Sequence, residues 1–277
     1  MTRALVAPLA CVVCVTAACS VPLMKLPTGA GVPAADAADA LAQATSACRR
    51  TRTLTAEVSV SGSAAGRRFR ARMLVGVAAP ASVRLEALAP FGPPVFFFVA
   101  SNDDATLLLP RDERVLEHGK PDEVLDAVAG VPLGAGDLYL TLTGCAPMLP
   151  LASGRELGAD WRVVHLAAGA AGHDLFLHRD AATQPWRLVA TTHEAPGISW
   201  RAEYRDFQND LPRSIRIAAP GASDRAGKAT FDLTLALSQL EANVALDADV
   251  FRVEIPPSAD PITLDELRSA RPGIREN

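Results

Sequence analysis

The fold is decided by residues 54–77, LTAEVSVSGSAAGRRFRARMLVGV. Ala56, Val58 and Val60 alternate with Glu57, Ser59 and Ser61. After the small-residue stretch Gly62–Gly66 the pattern restarts: Phe69, Ala71, Met73, Val75 and Val77 alternate with Arg68, Arg70 and Arg72. Successive side chains of a strand point to opposite faces, so a period of two predicts an antiparallel hairpin with one packed and one wet face. Beyond Pro80, Val83, Leu85 and Ala87 extend the alternation against Arg84 and Glu86.

Further along, a break at residues 89–94 (APFGPP) precedes the continuous apolar run Val95–Ala100, which contains Phe96, Phe97 and Phe98. A one-faced sheet would place one of these aromatics on its wet side. Either both faces of that strand are covered or one lines a hollow. Asn102–Asp104 is a turn, and Ala105–Leu109 and Glu113–His118 read as strands. Helices are expected at 34–48, where helix formers follow early acidic residues, and at Pro121–Ala129, where Pro opens and Gly130 closes the segment. Shorter helices are expected at 136–142 and 262–270, and residues 145–158 read as a Pro/Gly-punctuated loop. Strands resume at 161–167, 174–179, 186–193, 198–207 and 213–218. Period two continues within 228–241, whose length also permits a helix, and 251–255 is expected as a terminal strand before Pro256-Pro257. The sum is a mainly β (α+β) chain of about eleven strands, one curved antiparallel sheet or open barrel with helices against one side.

Composition narrows the function. Hydrophobic residues make up 49% of the 277, aromatics 5% and charged residues 21%, with a net charge of -4. That balance excludes an extended disordered chain. A mildly acidic chain without a basic, aromatic-interleaved stripe argues against nucleic acid as a partner. The one long uncharged apolar stretch is Ala4–Ala18, after Arg3, and it is short for a membrane span. Its end, Thr16-Ala17-Ala18-Cys19, resembles the lipobox of bacterial lipoproteins, although Thr16 stands where Leu is usual. The resemblance implies cleavage before Cys19 and thioether lipidation of its thiol, with membrane attachment through the N-terminal lipid. Residues 1–18 are then a signal peptide, 19–33 a Pro/Gly-rich tether, 34–258 the folded body and 259–277 a tail. Cleavage leaves 26 basic and 31 acidic residues, a net of -5. Export implies an oxidising compartment, where Cys48 and Cys145 remain as an even pair. They are read either as a disulfide or as two separately buried thiols.

No catalytic motif emerges: there is no G-x-S-x-G, no H-E-x-x-H and no P-loop. His165, His173 and His178 lie in neighbouring expected strands and read as strand-face residues rather than metal ligands. The expectation is a non-enzyme without metal or cofactor. Phe91, flanked by Pro90, Pro93 and Pro94, reads either as an exposed loop touching a membrane or apolar ligand, or as a turn with the ring folded inward.

An ordered series of segments resembles the LolA/LolB-type lipoprotein carrier and receptor family. It runs from residues 84–92 (RLEALAPFG) and the apolar strand to Leu109, through Val124-Leu125, 130–133 (GVPL) and 137–144. The second half adds 204–207 (YRDF), 211–217 (LPRSIRI), and 246–251 (LDADVF) with Pro256-Pro257. The resemblance implies an unclosed, strongly curved antiparallel β-barrel with helices as a lid over an apolar cavity. It implies binding of acyl chains or lipoprotein cargo without catalysis, and exchange with a periplasmic carrier protein. The cavity is expected to be lined by Val58, Val60, Phe69, Met73, Val83, Leu85, Phe96 and Phe98. A lipobox matches the anchored receptor branch, and Ser20 after Cys19 favours the periplasmic face of the bacterial outer membrane. A structural lipoprotein that binds protein partners and no lipid is the second reading.

Overall fold

The computed structural model describes residues 22–219 and 231–270. The elements run β1 (Val32–Pro33), α1 (Ala37–Ala44), α2 (Ser46–Arg50), β2 (Thr53–Ala64), β3 (Arg67–Ala78), β4 (Ser82–Leu88), β5 (Phe96–Ser101), β6 (Asp104–Leu109) and β7 (Arg114–Gly119). Two helices follow, α3 (Pro121–Ala129) and α4 (Ala135–Thr143). The second half is β8 (Leu151–Glu156), β9 (Trp161–Ala168), β10 (Ala171–His178), β11 (Arg187–Ala195), β12 (Ile198–Arg205), β13 (Ser214–Ala218) and β14 (Phe231–Ala242), then a 3-10 turn at Ala248–Phe251, β15 (Asp260–Pro261) and α5 (Leu264–Ala270).

All the strands form one curved, unclosed sheet in the order β1-β8-β9-β10-β11-β12-β13-β14-β2-β3-β4-β5-β6-β7-β15. Each half is a meander, and the long pairing of β14 with β2 joins the halves. Every pairing is antiparallel except that of β15 with β7. Fifteen strands stand where about eleven were expected; two of them, β1 and β15, have only two residues.

The alternation read in residues 54–77 fixes the register: Val58 faces Met73, and Val60 faces Ala71. Rows of directly opposed apolar side chains cross the inner face. Leu237, Val58, Met73, Ala87 and Phe96 form one such row; Ala56, Val75, Leu85, Phe98 and Leu107 form the next. These residues share a single core with Val124, Leu125, Leu133, Tyr139 and Leu142 of α3, α4 and their linker. Gly62 lies on this face at φ +144°, and a Cβ there would sit 2.0 Å from the Asp232 carbonyl oxygen, so only glycine lets β14 approach β2 at that point.

Both faces are covered where three phenylalanines run together. Phe96 and Phe98 point inward and are buried. Phe97, opposite Glu86 and Leu108, points outward beneath the Arg84 guanidinium, which lies 5.3 Å from the ring centre. Arg84 also donates to the carbonyls of Val250 and Arg252, at 3.1 and 3.0 Å, fastening the C-terminal segment over the outer face.

Several sequence expectations are corrected. Residues 252–255 are not a strand: β13 and β2 already flank β14, so the segment crosses the outer face instead. The loop 145–158 contains β8, whose outer neighbour is only the two-residue β1 and whose residues 151–153 are exposed, so no apolar alternation marks it. The helix at 34–48 divides at Thr45, whose hydroxyl donates to the Leu41 carbonyl at 2.8 Å. Within 228–241, the period of two is borne out from Phe231 onward by strand β14, and the helix alternative falls away. The expected tail is folded in part, for β15 pairs with β7 and Leu267 of α5 is buried. The expected tether also packs: Leu26 lies against Val163, Phe176 and Ala190 on the outer face. Residues 1–18 and Cys19 fall outside the described residues.

Candidate functional site

The apolar positions expected to line a cavity all lie on the inner face, but not at one depth. Val58, Val60, Val83, Leu85, Phe96 and Phe98 are buried beneath other side chains. Phe69 and Met73 are half-buried, as are Ala71 between them and Leu235 opposite Val60. Phe69 and Ala71 are left uncovered because they occupy the part of β3 that extends past the end of β4, whereas Met73 still pairs with Ala87 and Leu235 lies on β14. Leu88, the last residue of β4, pairs with Arg72, so Phe69 and Ala71 lie beyond it.

The β4–β5 loop leaves the sheet at this same end. Phe91 at its tip is 89% exposed, the outward alternative of the two sequence readings. Arg111 donates to the carbonyl oxygens of Phe91 (2.8 Å) and Pro93 (3.2 Å), so the ring projects from a fastened loop. The α3–α4 linker meets the same end. Gly130 closes α3 in the left-handed conformation at φ +70°, and a Cβ there would lie 3.2 Å from the Ala65 Cβ at the β2–β3 turn. The far end of α4 is held differently: a disulfide joins Cys145 to Cys48 of α2, with Cα atoms 5.4 Å apart. Tyr139 donates from its hydroxyl to the Thr51 carbonyl at 2.5 Å. The C-terminus of α4 is thus tied to α2 and Thr51, while the α3–α4 linker rests on the β2–β3 turn.

One polar spot interrupts the inner face. His173 and His193 oppose each other on β10 and β11, with Nε2 of the first 3.1 Å from Nδ1 of the second. The His193 ring stacks on Trp200, with centres 5.5 Å apart. Burial, then the neighbouring His193 and His165, lowers the His173 pKa to about 4, so it is neutral at ordinary pH. Burial also raises the pKa of the Asp137 carboxyl at the start of α4, opposed by a 3.2 Å hydrogen bond from the Gly134 N–H and by His193. The three histidines compared in the sequence do not converge. His165 lies on the outer face, 2.8 Å from Asp174, and His178 contacts Asp160 and Asp180. The His173–His193 pair was not anticipated, although both residues share strand parity with inward-facing apolar neighbours. Among the described residues no group of three or more His, Cys, Asp or Glu side chains is placed to hold a metal. No described helix is long and apolar enough to cross a membrane.

No protein-family model and no curated protein matches the chain. Solved structures do. A LolA superfamily protein from Nitrosomonas europaea superimposes with a TM-score of 0.55 at 12% identity, over 78% of this chain and 97% of its own. A DUF1329 family protein from Desulfovibrio piger gives 0.50 at 8% identity, over 80% and 98%. At such identities the likeness is one of fold: this chain has the open, curved sheet with helices of the LolA superfamily structure.

Proposed function

We propose that the protein is a non-enzymatic, lipid-anchored lipoprotein of the bacterial envelope that binds the acyl chains of a lipid or lipoprotein on its inner face. The observation that carries this reading is the half-buried strip Phe69, Ala71, Met73 and Leu235, continuous with the buried apolar core beneath the helices. Each methylene moved from water onto such a surface contributes about 0.8 kcal/mol, so one long chain gains affinity with few polar contacts. Lifting the α3–α4 linker from Ala65 would lengthen the strip inward toward Val60 and Val58. Phe91, at the same end, would meet the bilayer or the incoming tail. Transfer would run down an affinity gradient from a periplasmic carrier protein toward the outer membrane, with Cys19 bearing the anchor. The LolA-superfamily fold agrees with this reading.

A delipidated, refolded sample titrated with a fluorescent fatty acid tests it. Saturable binding that Phe69→Asp or Met73→Asp abolishes, with the circular dichroism spectrum unchanged, supports the proposal. Leu85→Asp is a poorer test, since Leu85 is 6% exposed and a charge there would unfold the sheet. Failure to bind at any concentration would favour the protein-binding scaffold.

A further inference from the structure

The outer face of the same sheet carries a charge pattern that cargo binding does not use. Three rows of directly opposed residues cross β12, β13, β14, β2 and β3. They read Arg205, Ser214, Ala236, Ser59, Arg72; then Glu203, Arg216, Thr234, Ser61, Arg70; then Arg201, Ala218, Asp232, Ser63, Arg68. Six arginines stand against two carboxylates on a chain whose net charge is -4. Glu203 is engaged by Arg201 and Arg205, and Asp232 by Arg216. Arg72 pairs with Glu57 from the next row. Arg68 and Arg70 are exposed and, among the described residues, no carboxylate engages them. Between the arginine flanks lie small side chains, several of them hydroxyls, together with the Arg216–Asp232 ion pair. With strands about 4.8 Å apart and rows about 6.8 Å apart, the field measures roughly 19 by 14 Å.

The N-terminal segment leads to one flank of this field. The Met24 N–H donates to Glu203 Oε1 at 2.8 Å, Arg201 donates to the Met24 carbonyl, and Arg205 reaches the Pro22 carbonyl at 3.5 Å. Only Ser20 and Val21 separate Pro22 from Cys19, a span of at most about 10 Å of extended chain. A lipid on Cys19 would therefore hold this face, rather than a distant one, against the bilayer.

We propose that the outer face of β13, β14, β2 and β3, bordered by the N-terminal segment clasped over β12, is a docking surface for anionic phospholipid headgroups. Guanidinium groups suit phosphate oxygens, and the hydroxyl rows supply donors to the same oxygens. The orientation argument rests on the lipid-anchor reading above; the charge argument does not.

The test uses the mature chain, residues 19–277, carrying Cys19→Ser, so that neither lipid nor apolar leader contributes, in flotation with vesicles of phosphatidylcholine alone or with roughly 30% phosphatidylglycerol to make the surface anionic. Binding is expected to the anionic vesicles only and to weaken strongly between low and high salt. At roughly fivefold per arginine, Arg68→Ser/Arg70→Ser/Arg72→Ser should lower partitioning on the order of 100-fold. A control of equal charge, Arg50→Ser/Arg52→Ser/Arg252→Ser, should stay within a few-fold of the parent. Equal losses in both triple variants, equal binding to neutral vesicles, or no vesicle binding would overturn the proposal. Fatty-acid titration of the same triple variant reports separately on the cargo reading.

Discussion

Breaking the Cys48–Cys145 bridge should cost the protein a large share of its stability. The bridge closes a loop with a sequence separation of 97 that contains β2 through β7, α3 and α4. In the chain-entropy account a loop of this size removes enough freedom from the unfolded chain to contribute about 4.7 kcal/mol at 25 °C. Domains are typically stable by about 5–15 kcal/mol, so the loss would be a third or more of the whole. Both cysteines are buried, Cys48 at 3% and Cys145 at 6% exposure, and replacing them also removes packed sulfur. Two samples separate these contributions: the reduced parent keeps both sulfurs, and Cys48→Ala/Cys145→Ala does not. Urea unfolding followed by circular dichroism should show about 4–5 kcal/mol lost on reduction, and somewhat more in the double variant. A loss below about 1 kcal/mol on reduction would refute the reasoning, since it would mean that the unfolded chain is already compact between these residues.

Three further outcomes are expected. The folded pKa of His173 lies near 4 against about 6.5 unfolded, so the unfolded state binds the extra proton first; stability falls as the pH drops from about 6.5 to 4, by at most about 3 kcal/mol. Unfolding measured across that range should be flatter in His173→Gln than in the parent, and parallel curves would contradict the assignment. Phe91→Ser should leave the melting temperature within a degree or two, because the ring is exposed, while reducing transfer of fluorescent acyl cargo into vesicles several-fold. Arg162, nearly buried, holds Asp36 through two hydrogen bonds of 2.8 and 3.1 Å and so fastens the start of α1; because the Asp36 carboxylate is left in contact with water, Arg162→Ala should destabilise by about 1–2 kcal/mol in thermal or chemical unfolding.

The sheet was legible where one face is wet and the other packed, because charge then marks parity. Residues 54–77 and 198–205 show this, since Arg and Glu alternate there with buried apolar residues. Parity failed where both faces are covered or both exposed. Phe96–Phe98 gave no period because Phe97 is roofed by the C-terminal segment, a contact across more than 150 residues. Strand β8 gave none because the two-residue β1 covers only its second half and leaves Leu151 and its neighbours exposed. The apolar inner-face positions followed from alternation, but the distinction between buried Val58 and accessible Phe69 did not. It depends on β4 ending at Leu88 while β3 runs on, a difference in strand length that only the register shows. The clasp on Met24 was illegible for a related reason, as Glu203 and Arg201 lie nearly 180 residues away.

The measurement that tests acyl-chain binding most directly is a chain-length series. Saturated fatty acids of about ten to sixteen carbons, titrated against the delipidated protein by calorimetry, should bind at one site, with the Kd falling about fourfold per added methylene until the strip from Phe69 to Met73 is filled. A flat series, or no saturable heat at any length, would contradict the account and leave the inner face as a core for the protein's own side chains.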